Sequence, residues 1–311
     1  MLIVSLILAG ALAAQEPPKM PAGDGYVGRW NVKITDAVDT FASGGFQVAK
    51  KDGALSAGIV WRWGSYLPAK TVEVKDGTLV MVWDEDPPKG KIDTFEARLE
   101  GETLKGKVAL ADGKVQHFEG RRAPLLLSKK APVWGAPVTL FDGKTLAGWK
   151  LRDAKKKNGW AVVDGELAVV DPKDNADLVS EQAFQDMKVH IEFNAPAHSN
   201  SGVYLRGRYE VQIETEDPAA NNATQKCGAV YSRIAPMTGA AKPAGEWQAY
   251  DIEIVGRQVS VTLNGTKIVQ GVLEGITGGA LNPYEGEPGP LMLQGDHGKV
   301  RFRNVVVTPA R

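Results

Sequence analysis

Apolar and polar residues alternate with a period of two through most of this chain, and no stretch sustains a helical period. Val189, Ile191 and Phe193 alternate with Lys188, His190 and Glu192, and Tyr209, Val211 and Ile213 alternate with Glu210, Gln212 and Glu214. Tyr250, Ile252 and Ile254 alternate with Asp251 and Glu253. Val259, Val261 and Leu263 alternate with Ser260 and Thr262, and Asn264-Gly265 then supplies a tight turn. Such runs bury one face and expose the other, as two packed antiparallel sheets require. Only Ser180–Asp186 reads as a short helical turn. The pattern predicts an all-β protein whose C-terminal part is a jelly-roll-like sandwich.

Between Gly28 and Arg121 the punctuation changes. Asp52-Gly53, Asp76-Gly77, Glu100-Gly101 and Asp112-Gly113 separate strand-length segments such as Ala54–Trp61, Thr78–Trp83 and Thr94–Leu99. Acidic-Gly pairs suit the positive φ of hairpin turns, so this region predicts an antiparallel meander or small barrel of about eight strands. Trp30, Trp61, Trp63 and Trp83 belong either to its core or to a sugar-stacking platform. Three prolines (Pro124, Pro132, Pro137) and the Lys129-Lys130 pair then mark a semi-rigid linker. The implied organisation is a signal peptide over residues 1–14, an N-terminal antiparallel β domain over 22–122, a linker over 123–137 and a jelly-roll domain over 138–311.

The length of 311 residues agrees with more than one folded unit. The first residues form an apolar run ending in small side chains, with Ala11-Leu12-Ala13 as a cleavage motif, although no Lys or Arg precedes it. The run is too short to span a bilayer. An exported protein, periplasmic or extracellular, is the expectation; a buried N-terminal strand is the other reading. Lys plus Arg and Asp plus Glu both number 37, a balance that gives no electrostatic footprint for nucleic acid or an anionic membrane. Cys227 is the sole cysteine, so an internal disulfide is excluded.

The chemistry concentrates in two places. The segment from Ser199 to Glu214 reads as strand, Gly207-centred turn, strand, with Val203, Leu205, Val211 and Ile213 pointing inward. Tyr204, Arg206, Glu210, Gln212 and Glu214 then share the opposite face, a mix of carboxylate, amide, guanidinium and phenol suited to a polyhydroxyl ligand. A solvated face with cross-strand ion pairs is the alternative. In the second place Gln294 leaves the polar face of a strand, and Asp296-His297-Gly298 follows on a turn where an imidazole can act as acid or base. His198 is a second loop candidate, and His190 a weaker one on a strand. Trp247, entering a strand, is either a stacking face or a core anchor, and the acidic loop Asp171–Asp177 is a candidate calcium loop without the expected spacing. Phosphate-loop, zinc and serine-hydrolase signatures are missing from the sequence.

Four segments, taken together and in order, resemble the 3-keto-disaccharide hydrolase-like domain family. They are Leu140–Trp149, Asn200–Ile213, Gly245–Asp251 and Pro290–Gly298 with Arg303-Asn304. Family members often run Gln-Asp-His without a break, whereas here Gly295 stands between Gln294 and Asp296. The resemblance spans roughly Val138–Val307 and implies a concanavalin-like jelly roll that cleaves glycosidic bonds of 3-keto sugars by C2 proton abstraction, elimination and rehydration. For such a reaction the expected roles are proton transfer by His297 with one of Glu210 and Glu192, and substrate binding by Arg206, Tyr204, Gln212 and Gln294 on the polar face, with Trp247 if it is the stacking ring. Arg206 or a divalent metal held by carboxylates would stabilise the enolate. A carbohydrate-binding module and a structural surface protein are the competing functions.

Overall fold

The computed structural model describes residues 23–86, 89–127, 131–215 and 222–311. The signal-peptide reading and its alternative fall on residues outside this set. About half of the chain is strand, and no α-helix occurs among the described residues.

The first unit contains β1 (Gly28–Ile34), β2 (Ser43–Lys51), β3 (Ala54–Trp61), β4 (Leu67–Pro68), β5 (Thr71–Lys75), β6 (Thr78–Asp84), β7 (Ile92–Glu100), β8 (Thr103–Ala109) and β9 (Val115–Arg122). They form one nine-stranded antiparallel sheet in the order β4-β3-β2-β1-β9-β8-β7-β6-β5. The sheet curls until β3 approaches β5. Asp52 and Gly53 both take positive φ in the two-residue connection of β2 to β3, as do Asp76 and Gly77 between β5 and β6. Inside lie Trp30, Phe46, Trp61, Trp83, Phe95 and Phe118, so three of the four tryptophans are core. Trp63, on the turn after β3, is 59% exposed.

The second unit contains β10 (Val138–Thr139), β11 (Trp149–Leu151), β12 (Trp160–Val163), β13 (Glu166–Val169), β14 (Leu178–Phe184), β15 (Met187–Asn194), β16 (Asn200–Leu205), β17 (Tyr209–Glu214), β18 (Trp247–Val255), β19 (Gln258–Leu263), β20 (Thr266–Val272), β21 (Gly289–Leu293) and β22 (Arg301–Pro309). An eight-stranded sheet runs β12-β13-β22-β15-β18-β19-β20 with β10 beside β22, and a five-stranded sheet runs β11-β14-β21-β16-β17. Val189, Ile191 and Phe193 from the first of these and Val203, Leu205, Val211 and Ile213 from the second meet in one core. The segment Ser180–Asp186 is not helical. Most of it belongs to β14, because Leu178 and Val179 pair with Leu293 and Met292, and Ala183 and Phe184 with Pro290 and Gly289, around a bulge.

The two units are fastened along a polar seam. The Arg29 guanidinium donates to both oxygens of Glu285 at 3.1 Å, and Tyr209 Oη donates to Glu285 Oε1 at 3.0 Å. Gly279 N donates to Arg62 O at 2.8 Å, Tyr66 N to Ser232 Oγ at 2.8 Å, and Ser65 Oγ lies 3.1 Å from Tyr231 Oη. Val60 of β3 joins the sandwich core. The described part of the linker lies along the sandwich: Arg257 Nε donates to Leu125 O at 3.0 Å, and Gly135 N to Pro309 O at 2.7 Å.

Candidate functional site

The hairpin β16–β17 builds one wall of the site by simple alternation. Val203 faces Val211 toward the core, so the neighbouring pairs Tyr204–Glu210, Gly202–Gln212 and Asn200–Glu214 face outward. Outward does not mean exposed here: Tyr204 is 2% exposed, Gln212 3% and Glu210 4%. The segments that follow β21 and precede β14 cover them, together with turns from the first unit. The result is a cavity of about 440 Å³ lined by Tyr204, Glu210, Gln212, Gln294, Asp177 and His297 among others, with Phe41 and Trp63 at the side of the first unit.

Gly202 is required by this arrangement. The Glu210 side chain crosses it so closely that a Cβ would stand 2.2 Å from Glu210 Oε1. Gly295 likewise permits the Gln294–His297 turn to press on Trp160, where a Cβ would meet Ala176 O at 2.6 Å. Gly295 N donates to Asp177 Oδ1 at 3.2 Å, and Asn175 Nδ2 donates to Gly295 O at 2.9 Å. The extra glycine is therefore held on both sides, and His297 still lines the cavity.

The electrostatics are set by carboxyl groups of unequal surroundings. Burial drives the Glu210 carboxyl up to about 8, and Asp177 and Asp296 push in the same direction; a hydrogen bond with Tyr204 and the charge on His297 oppose it. At neutral pH this carboxyl is therefore mostly protonated. His297 Nδ1 lies 2.5 Å from Asp296 Oδ1, and that contact holds the imidazolium above its ordinary range while burial pulls it down. Asp177 is raised by burial and lowered by Arg152, whose Nη1 donates to Asp177 Oδ2 at 3.2 Å. Gln212 Oε1 and Gln294 Oε1 are buried with no hydrogen-bond partner. Buried acceptors without a donor are costly, so these two amides have unmet capacity to accept hydrogen bonds within the cavity.

The profile of the 3-keto-alpha-glucoside-1,2-lyase-like domain family matches residues 136–308. The chain belongs to this family. A Parabacteroides distasonis protein provisionally designated a glycosyl hydrolase is 27% identical over 59% of this chain and 93% of its own, with a TM-score of 0.47. A second structure from that organism, with the same designation, is 23% identical over 55% of this chain and 93% of its own, with a TM-score of 0.48. A carbohydrate-binding module of Bacillus subtilis, CBM66, shares 12% identity over 52% of this chain and 95% of its own, with a TM-score of 0.37. Curated proteins yield no match.

Against this family domain, the sequence candidates divide. Glu210, Tyr204, Gln212, Gln294 and His297 come together in the cavity. Glu192, Arg206 and Trp247 do not. Glu192 lies on the outer face of the other sheet, where Arg303 Nε donates to it at 2.7 Å and Asn304 Nδ2 at 2.6 Å. The guanidinium of the same Arg303 covers the ring of Trp247 at 3.9 Å. Arg206 sits on the hairpin turn with φ of 54°, where strand alternation no longer governs direction. Its side chain, 0% exposed, donates to Gln185 O, Gly256 O and Asp186 Oδ1 at 2.5, 2.9 and 3.0 Å. It buttresses the turn and is unavailable to an enolate. His190 bonds Asp251 at 2.7 Å on that other sheet.

The acidic loop is also committed elsewhere. Asp171 pairs with Lys157 at 2.5 Å, Asn175 Oδ1 accepts from Gly159 N at 2.8 Å, and Asp177 is held by Arg152. Among the described residues no three His, Cys, Asp or Glu side chains are placed to hold a metal ion. The donor geometry thus does not fit the divalent metal considered for the enolate. Sequence reasoning missed Asp177, Tyr231 and Phe41 as cavity residues and Arg152 beside them, none of which falls in the alternating pattern; Asn200, at the start of β16, shares that pattern but was not singled out.

Proposed function

We propose that this cavity cleaves the glycosidic bond of a sugar carrying a ketone at C3. The observation that carries the reading is a carboxyl held protonated near neutrality, Glu210, sharing one cavity with an imidazole backed by a carboxylate, His297–Asp296. A carboxyl that burial keeps protonated and an imidazole oriented by a neighbouring carboxylate suit paired acid and base work, and the family description names a 3-keto-alpha-glucoside-1,2-lyase.

A ketone at C3 acidifies the proton on C2. Neutral His297, oriented through Nδ1 by Asp296, removes that proton with Nε2. The electron pair forms the C1–C2 double bond, the C1–oxygen bond breaks, and the Glu210 carboxyl protonates the departing oxygen. Water then adds at C1 and gives its proton to the Glu210 carboxylate, while the His297 imidazolium returns a proton to C2. The net change is hydrolysis, and both side chains are restored. The amides of Gln212 and Gln294 grip hydroxyls of the ring and can turn their N–H groups to the developing C3 oxyanion.

Methyl 3-keto-α-glucoside incubated with the protein in D₂O should release methanol and 3-keto-glucose deuterated at C2, followed by NMR. An unchanged ketoglucoside overturns the proposal, and saturable binding without turnover would instead describe a carbohydrate-binding module.

The pH–rate profile should be bell-shaped. Turnover falls above about 8 as Glu210 loses its proton, and falls at lower pH as His297 gains one. Asp296→Asn removes the chief cause of the raised imidazole, so the acidic limb should move to lower pH while the alkaline limb changes far less. An acidic limb that stays in place contradicts the assignment of His297 as base.

Gly202→Ala should reduce kcat by about a hundredfold, because the new methyl displaces the Glu210 carboxyl that now crosses position 202. Kinetics paired with a thermal melt separates this from simple unfolding.

A further inference from the structure

Trp63 is the one tryptophan of the first unit's four that is not buried, and it stands where the two units meet. It lines the cavity of Glu210 and His297, and it also lines a groove of about 700 Å³ at one end of the curled sheet. Three apolar side chains of that groove are open to solvent, Val38 at 96% exposure, Trp63 at 59% and Val115 at 50%, among charged neighbours such as Asp36, Glu85, Lys91 and Lys114. A groove that mixes an exposed aromatic ring with charged side chains can take a ligand with one apolar face and polar edges.

The indole is also fixed in place. The Arg62 guanidinium lies over it at 4.2 Å, and Phe41 meets it in a T-shaped contact at 5.5 Å. Arg62 is itself tied to Asp39 at 2.5 Å, and its carbonyl accepts the bond from Gly279 N. An exposed aromatic ring held this firmly loses little freedom when something stacks on it. Behind it, the groove contains an independent sign of a ligand. Asp93 is 1% exposed; one of its oxygens accepts from Ala111 N at 2.8 Å, and the other, Oδ2, is buried without a partner.

We propose that Trp63 and the groove behind it form the subsite for the leaving group of the substrate, which is a six-membered ring presenting a flat apolar face. The ring stacks on the indole, and a hydroxyl beyond it reaches the unpartnered oxygen of Asp93. Aryl rings and the C–H face of a pyranose share this chemistry. The inference rests on reading the cavity as a 3-keto-glucoside site, and it gives the first unit a direct part in substrate choice.

The test compares the full chain with Trp63→Ala and Trp63→Phe on the methyl, phenyl and glucosyl 3-keto-α-glucosides. For Trp63→Ala, kcat/KM should fall about tenfold more for the phenyl or glucosyl substrate than for the methyl one, as loss of an aromatic stack predicts. Trp63→Phe should recover most of the loss. The larger of the two losses identifies whether an aryl or a sugar ring is the natural occupant. An equal loss on all three substrates, or no loss on any, overturns the proposal. Should the wild-type protein cleave none of them, the reading of the reaction fails, and calorimetry on phenyl and methyl α-glucoside still decides the subsite: tighter phenyl binding that Trp63→Ala abolishes supports it, and equal binding by the two proteins overturns it.

Discussion

Glu210→Gln is expected to lower kcat on a 3-keto-glucoside by about 10²–10⁴-fold, the usual contribution of a positioned proton donor. KM should change little, because glutamine keeps the shape of the side chain and its capacity to bond Tyr204. The carboxyl is 4% exposed and titrates at about 8, so the neutral amide resembles the form already present at pH 7. Stability supplies a second readout. The folded-state value lies above the ordinary 4.5, so between that pH and about 8 the unfolded chain has released a proton that the folded chain retains. Such a group makes the wild-type protein progressively less stable as pH rises through this window. Glu210→Gln should therefore melt at an increasingly higher temperature than wild type from pH 5 to pH 8. A variant that keeps full turnover refutes the catalytic role, and one that gains no stability refutes the raised titration.

Arg152→Met should cost about 3–5 kcal/mol, the range for removing one partner of a buried ion pair. The Arg152 side chain is 2% exposed and ends among acceptors from both units. Besides Asp177, it donates to Thr40 Oγ1 and Thr40 O at 3.1 and 2.9 Å, and to Gly279 O and Ala280 O at 2.6 and 3.3 Å. Its guanidinium also covers the Phe41 ring at 3.9 Å. Methionine fills the volume but leaves a buried carboxylate and several carbonyls unpaired. Asp177→Asn added to Arg152→Met should restore part of the loss, and urea denaturation of the four proteins gives the coupling directly. Additive losses would mean that the pair is incidental and the carbonyl contacts carry the cost.

Strand alternation located much of this site because the site is made of strands. Tyr204, Glu210 and Gln212 are alternate residues of β16 and β17, and His297 follows the end of β21, so their faces could be read from Val203, Val211 and Leu293. The same reasoning failed at Arg206, where the chain had left the strand, and at Glu192, which obeys the alternation but on the other sheet. Period two tells which face of a strand a residue occupies; it does not tell which of two sheets the strand joins. Ser180–Asp186 misled for a related reason, since its bulge interrupts the alternation that would have marked it as strand. Arg152, Phe41 and Trp63 were beyond reach because their surroundings arise only where the curled sheet meets the sandwich. The tryptophans offered a faint signal, but nothing in the sequence separates Trp63 from Trp61, 3% exposed and two residues earlier.

The seam between the units constrains how such a protein can be assembled from parts. Glu285 is 1% exposed and takes its guanidinium partner from Arg29 in the other unit, while Arg152 takes two of its acceptors from Thr40. A sandwich joined to an unrelated barrel would inherit a buried carboxylate and a buried cation with their partners removed. Recombination that shuffled these units freely should thus produce unstable chimeras, because the sandwich carries buried charged groups whose partners stand partly in the other unit.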